Sequence, residues 1–304
     1  MNARTSETPP KTSVRTLFSE VIDYAGLFPP SQLSMAEAVM NYAGYRNTDY
    51  SWMLGRFVTP VSRLDEFYEI AQQFTPKKGE EPWRLSGLAG EDIYETIKAV
   101  KNFNAMRPGF VCDALEVKAN TVSKIENTVS YLPEGIDAYF EIARNNMLGE
   151  LVSALAFKKQ RAKIRTGGVR GEDFPSSKEI IRFVRTCLAA NVPFKATAGL
   201  HHPIRCFKPL TYAKNAPKGT MHGFINVLIM TAFAGESYRV GFLEEIMEEE
   251  FEEVFTFDEG GVRWRDEYFL DNEHLELVRK KGMIAFGSCS FDEPVEDLRA
   301  LGLL

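Results

Sequence analysis

From Leu17 onward, short apolar runs alternate with longer amphipathic stretches along the chain. The short runs predict strands at Leu17–Tyr24, Ser51–Val58, Trp83–Ala89, Val111–Lys118, Ala138–Ala143, Ala162–Thr166, Pro193–Ala198 and Met283–Ser288. Helical periodicity fills the gaps. Ser34 caps a run through Tyr45, Glu91 opens one through Phe103, and Thr121 opens one through Tyr131. Met147–Lys159 and Ser176–Ala190 follow, with Ser176 or Ser177 as the N-cap. Such alternation implies parallel strands joined by crossover helices. Eight strands predict a closed (βα)8 TIM barrel over residues 14–304. An open doubly wound sheet would gather its ligand residues at one switch point, whereas charged strand ends recur here along most of the chain. No glycine-rich dinucleotide or P-loop fingerprint follows any strand.

The rhythm breaks between the seventh and eighth strands, where an insertion of about 204–281 replaces a simple loop and helix. It contains an apolar helix at Gly223–Ala234, an acidic helix around Glu244–Glu253, and a hairpin turning at Gly260-Gly261. Insertions at this position serve as lids or subunit contacts, so a homo-oligomer stays open. The acidic helix reads as a solvated face. Residues 1–13 are polar, carry Pro9 and Pro10, and read as a disordered tail without the apolar segment of a secretory signal.

Strand alternation divides each strand into two faces, and the inward faces are charged. Glu116 and Lys118 share one face of the fourth strand, while Leu115 and Val117 face helices. Glu141 points inward from the fifth strand, Lys163 and Arg165 from the sixth, and Lys195 and Thr197 from the seventh. Arg56 joins them from the second. Five cations and two carboxylates thus converge where a barrel interior ordinarily holds branched apolar residues. The cationic surplus selects a small anionic substrate, such as a phosphate or carboxylate. Ion pairs that merely hold the barrel, Lys163 with Glu141 for example, are the competing explanation. Lys163 and Lys195 on neighbouring strands suggest Schiff-base chemistry, provided that nearby cations lower the pKa of one amine.

Overall charge and cysteine usage narrow the partners. A formal net charge of −6 gives no support to a nucleic-acid partner, and the longest apolar stretch, Gly223 to Gly235, is too short to span a bilayer. Cys112, Cys187, Cys206 and Cys289 are far apart and form no CxxC pair, which points to reduced thiols in a cytoplasmic protein without cofactors.

Several of these segments resemble the deoxyribose-phosphate aldolase superfamily of class I aldolases. KIRTGG, beginning at Lys163, is similar to the strand that carries the family's Schiff-base lysine. FKATAGL is similar to the strand with the second lysine, which implies that Lys195 activates its neighbour. IDYAGLFP resembles the first strand and implies that Asp23 is a carboxylate near the barrel mouth, while AYFEI ends in Glu141. FGSCS resembles a phosphate-binding turn through Gly287 and Ser288. The resemblance implies a carbon–carbon lyase acting on a small anionic carbonyl or sugar-phosphate compound. The chain departs from the family in having Ala198-Gly199-Leu200-His201-His202-Pro203 after the seventh strand. The fourth strand offers Glu116 and Lys118, with Asp113 expected to face helices.

Two other readings compete with this one. In the first, His201 or His202 joins Glu116 and Glu141 in a divalent-metal site of a lyase or isomerase. In the second, the barrel is a non-catalytic scaffold or regulator, since fold alone does not establish activity.

Overall fold

In a computed structural model, which describes residues 9–304, eight parallel strands close into a barrel surrounded by helices. Seven barrel strands come in sequence: β1 Ile22–Tyr24, β2 Leu54–Pro60, β3 Trp83–Leu88, β4 Phe110–Lys118, β5 Asp137–Glu141, β6 Arg161–Arg165 and β7 Phe194–Thr197. The insertion supplies a hairpin of β8 (Cys206–Pro209) and β9 (Lys218–Met221). It also supplies an antiparallel sheet of β10 (Phe255–Phe257), β11 (Gly261–Trp264) and β12 (Tyr268–Asp271). The eighth barrel strand, β13 (Met283–Ser288), pairs with both β7 and β1 and closes the circle.

The predicted first strand was too long. Val14, Leu17 and Phe18 recur at helical spacing and form the buried face of a helix, Thr12–Phe18, so the strand begins only at Ile22. Of the tail expected at 1–13, residues 1–8 lie outside the described residues, and Thr12 and Ser13 already belong to this helix. Helix starts elsewhere follow their caps. Ser34 and Ser176 each close a capping box, with Glu37 and Glu179 respectively, and the Thr121 side chain accepts from Lys124 N. Asp92, rather than Glu91, caps Ile93–Met106.

Most of the insertion packs on the side of the barrel instead of covering its mouth. The apolar helix, Phe224–Ala234, is buried almost all round, and the Phe224 ring stacks on Phe286 of β13 with centroids 5.0 Å apart. Val240–Glu248 covers that helix with Leu243, Ile246 and Met247. It covers the first half of the predicted acidic run and ends at Glu248, and Glu249 is buried against Arg265, 3.0 Å away. Asn226, fully buried, joins the layers: its amide donates to Ile246 O and Glu249 O at 2.8 Å and accepts from Arg205 N at 2.9 Å. The expected hairpin at Gly260-Gly261 forms between β10 and β11, and β12 extends it. The N-terminal helix docks on this sheet, with the Ser13 hydroxyl donating to Asp258 O at 2.6 Å and Lys11 Nζ to Phe257 O at 2.7 Å.

One irregularity controls what β4 presents to the interior. Leu85 pairs with Cys112 but Ser86 pairs with Ala114, so Asp113 is the extra residue of a β-bulge. The bulge brings Asp113 to the guanidinium groups of Arg56 (2.6 Å) and Arg84 (2.8 Å), contrary to the expectation that it faces helices. Arg56 is thereby drawn toward the N-terminal ends of the strands, away from the mouth, and cannot serve as the anion-binding residue expected there. Its backbone N–H donates to Asp23 Oδ1 at 2.7 Å, an approach that leaves no room for a Cβ at Gly55. Asp113→Ala, which takes the carboxylate from the buried Arg56 guanidinium while Arg84 keeps Glu20, is expected to lower stability by about 3 kcal/mol. An unchanged urea midpoint in that variant would remove this network from the forces holding the barrel.

Candidate active site

β5, β6 and β7 run in a register that places Glu141 beside Lys163 and Lys163 beside Lys195. Period-two alternation turns all three inward, while Phe194 and Phe140 pack outward in the core. Phe194 meets Phe183 of the helix Ser177–Ala189 edge-on, with centroids 5.5 Å apart. After the bulge, β4 aims Glu116 at the same point. Glu116 Oε2 lies 2.6 Å from Lys163 Nζ, and Oε1 lies 3.4 Å from Lys195 Nζ. The Ser86 hydroxyl donates to Glu116 Oε1 at 2.9 Å. Lys163 also meets Glu141 Oε2 at 3.0 Å, and Lys195 meets Asp23 Oδ2. The Lys195 ammonium stands 4.4 Å from the centre of the Tyr139 ring.

These partners reverse one expectation. Lys195 and Arg165 were expected to depress the pKa of Lys163. Burial does disfavour the charged amine, but Glu116 and Glu141 outweigh it and raise the pKa. Lys195 is raised likewise, burial being overcome by Asp23 and Glu116. Burial pushes the Glu116 carboxyl up, yet the two lysines hold it at about 2. Glu141 is lowered more mildly, by Lys163 and then by Arg165, whose Nε is 3.7 Å away. Lys163 and Lys195 are therefore ammonium ions joined through a shared carboxylate.

The charges line open space. A cavity of about 410 Å³ is walled by Glu116, Lys163, Lys195, Thr197, Gly287 and His201. A wider groove of about 1110 Å³ continues over Glu141, Arg165 and Lys118 toward Lys124. Without Arg56, four of the five expected cations and both expected carboxylates border these spaces, which Asp173, Glu91, Asp92 and Glu95 also line. Arg165 and the exposed Lys118 are the cations open to solvent at the mouth.

Other expected residues fall elsewhere. Asp23 is buried one layer beneath the mouth, under Lys195. Ser288 is buried, and its hydroxyl accepts from Ser290 N at 3.4 Å, so of the expected phosphate-binding turn Gly287 alone borders the cavity. His202 turns away to Asp297 Oδ2 at 2.6 Å, leaving His201 as the histidine at the cavity. The metal reading loses its ligands: Glu116 and Glu141 are occupied by Lys163, and both histidines pair with carboxylates of the last helix, Asp292–Ala300. Among the described residues, no three His, Cys, Asp or Glu side chains converge to hold a metal ion.

Four residues of the site escaped sequence reasoning: Ser86, Tyr139, Cys289 and Glu293. Tyr139 was legible, since it shares the inward face with Glu141. Cys289 and Glu293 depend on the path of the chain after β13, which periodicity does not report. Ala198, at the end of β7, adopts a left-handed backbone with φ +62° and also lines the cavity. Such strain gathers at functional sites. The Thr166 hydroxyl holds it by donating to Ala198 O at 2.6 Å.

No protein-family model matches the chain, and no curated protein or solved structure matches it either. Among the described residues, no helix is long and apolar enough to cross a membrane.

Because the folded-state pKa of Glu116 is depressed, its stabilisation is present above the ordinary value of 4.5 and is lost as pH falls toward about 2. Glu116→Gln is expected to lower stability at pH 7 by about 3 kcal/mol, since two buried cations each lose one of their two carboxylates. The variant's stability should also fall less steeply than wild type between pH 4.5 and 2. Parallel acid limbs in urea denaturation would show that the carboxylate is not held in this way.

Proposed function

We propose that the protein is a Schiff-base carbon–carbon lyase acting on a small anionic carbonyl compound, with Lys163 as nucleophile. The observation that carries this reading is the position of the Lys163 amine: on a cavity wall, between two carboxylates, at the C-terminal end of a barrel strand. Ion pairs that only hold a barrel together need no cavity beside them, and these border one. The reading agrees with the resemblance of KIRTGG and FKATAGL to the aldolase strands. Four free cysteines suit a reducing, cytoplasmic compartment.

The chemistry begins with a proton. Lys163 rests as an ammonium ion and must give up one proton before it can attack. Glu141 is the acceptor. Its side chain keeps 19% of its exposure and borders the groove, whereas Glu116, held at about 2 by two lysines, is a poor base. Substrate filling the cavity displaces water and strengthens the burial penalty on the ammonium, favouring this transfer. The free amine adds to the carbonyl carbon, and the oxygen takes the proton back from Glu141. Loss of water leaves an iminium ion. It draws in the electron pair of the adjacent carbon–carbon bond as the departing fragment becomes an aldehyde, whose hydroxyl proton goes to Glu141. Protonation of the enamine on carbon and addition of water then release the second product and Lys163.

Glu116 positions the machinery: it fixes Lys163 and Lys195 at one depth, and Asp23 anchors Lys195 from below. Lys195 keeps a positive charge near the reacting oxygen, where negative charge develops during addition. Arg165 and Lys118 hold the substrate's anionic group at the mouth.

The test is intact-mass analysis after incubation with small aldehydes, ketones and sugar phosphates in the presence of borohydride. Wild type is expected to gain one adduct, mapped to Lys163. Lys163→Arg keeps the charge that Glu116 and Glu141 need but cannot form an imine, so a folded variant should gain none. An adduct that persists in Lys163→Arg, or none on wild type across the whole panel, would sink the lyase reading.

A further inference from the structure

Across the cavity from Lys163 stands a second reactive group that the lyase chemistry does not use. Cys289 follows β13 directly and forms part of the cavity wall. On its other side is a cavity of about 340 Å³ bounded by Tyr24, Ser31, Tyr212, Asp292 and Glu293. Cys289 therefore borders open space on two sides, although it keeps only 5% of its exposure.

The groups around the sulfur come from separate elements. His201, in the segment after β7, places Nδ1 3.9 Å from Cys289 Sγ and 3.3 Å from Glu293 Oε2. Tyr212, between β8 and β9, sets its hydroxyl 3.6 Å from Sγ and donates to Glu293 Oε2 at 3.1 Å. Glu293 belongs to the last helix and also stands 3.8 Å from His202 Nε2. Lys208 approaches His202 at 3.3 Å, and Asp297 closes the outer side of that ring. Cys289 and Glu293 thus share one imidazole nitrogen, His201 Nδ1, with a phenol beside the sulfur, and a thiol that close to a cationic imidazole gains nucleophilic character.

We propose that Cys289 is a reactive cysteine, paired with the His201 imidazole that Glu293 also holds, at which the protein takes up hydrogen peroxide. The sulfur attacks one peroxide oxygen and the O–O bond breaks. The sulfur becomes a sulfenic acid, and the departing hydroxide takes the imidazolium proton of His201 to leave as water. One thiolate is oxidised by two electrons and one peroxide is reduced. A small oxidant suits the narrow approach, and His201 supplies the proton without which hydroxide is a poor leaving group.

The charge balance agrees with the geometry. Burial alone would disfavour both charged forms. The hydrogen bond from His201 instead lowers the Cys289 thiol, while Cys289 and Glu293 raise His201 to about 9. The other cysteines contrast with it. Burial pushes Cys112 up to about 12 and Cys206 to about 11, and it raises Cys187 as well. The inference does not rest on the lyase reading, because its readout is the thiol and not turnover.

The experiment compares alkylation by iodoacetamide, and sulfenic-acid trapping after hydrogen peroxide, at all four cysteines of the folded full-length chain by peptide mass spectrometry. Cys289 is expected to react at least about tenfold faster than Cys206. Its rate should change less than tenfold between pH 8 and 6, where an ordinary thiol slows by about a hundredfold. His201→Gln should slow the reaction and restore the steep pH dependence. A Cys289 rate no greater than that of Cys206, or a wild-type pH profile as steep as that of an ordinary thiol, would overturn the proposal. The wild-type profile decides the matter even if the variant fails to fold.

Discussion

Everything at the mouth of this barrel hangs on one buried carboxylate held between two ammonium groups. Glu116 meets Lys163 and Lys195 at once, and without it the neighbouring strands β6 and β7 would bring two like charges side by side in a poorly solvated interior. Removing water from one such ion costs several kcal/mol, and attraction recovers that only where geometry and hydrogen bonding are good. Ser86, Glu141, Asp23 and Tyr139 complete the coordination of the three ions. An apolar filling would hold a barrel together at least as well, so the network has no evident value as a fastener alone. It makes sense as a way to keep two amines in fixed positions beside an opening.

The bulge in β4 makes this arrangement possible. By inserting one residue it lets a single strand contribute Asp113 to one depth of the interior and Glu116 to another, each matched to its own pair of cations. The barrel interior is consequently two charged layers. The lower layer is nearly neutral and tightly paired around Arg56, Asp113 and Arg84. The upper one opens on the cavity and the groove, with Arg165 and Lys118 at its rim.

Much of this was legible in the sequence because strands alternate strictly. Lys163, Lys195, Glu116 and Glu141 follow from period two and from the eightfold order of elements. What escaped depends on effects that alternation does not carry. The bulge shifts register by one residue, so Asp113 and Arg56 could not be placed. The ends of helices obscured the first strand, where Val14, Leu17 and Phe18 satisfy helical spacing as well as an apolar run. The sign of the Lys163 shift was missed because counting cations on neighbouring strands ignores the carboxylate that spaces them. His201 and His202 were separable only in part. Neighbours on an extended segment point opposite ways, so alternation allows at most one of them into the site, and which one depends on where Asp297 of the last helix stands.

The clasp between the N-terminal helix and the β10–β12 sheet bears on how the chain reaches this structure. Ser13 and Lys11 are held by the main chain of Asp258 and Phe257, and β1 has β13 as one of its two neighbours. These early elements thus find their partners only after more than two hundred further residues of the chain have been made. Until then the edge of β1 that β13 will pair and the apolar face of Thr12–Phe18 lack their final cover, so that the slow, non-local closure of the barrel leaves apolar surface exposed.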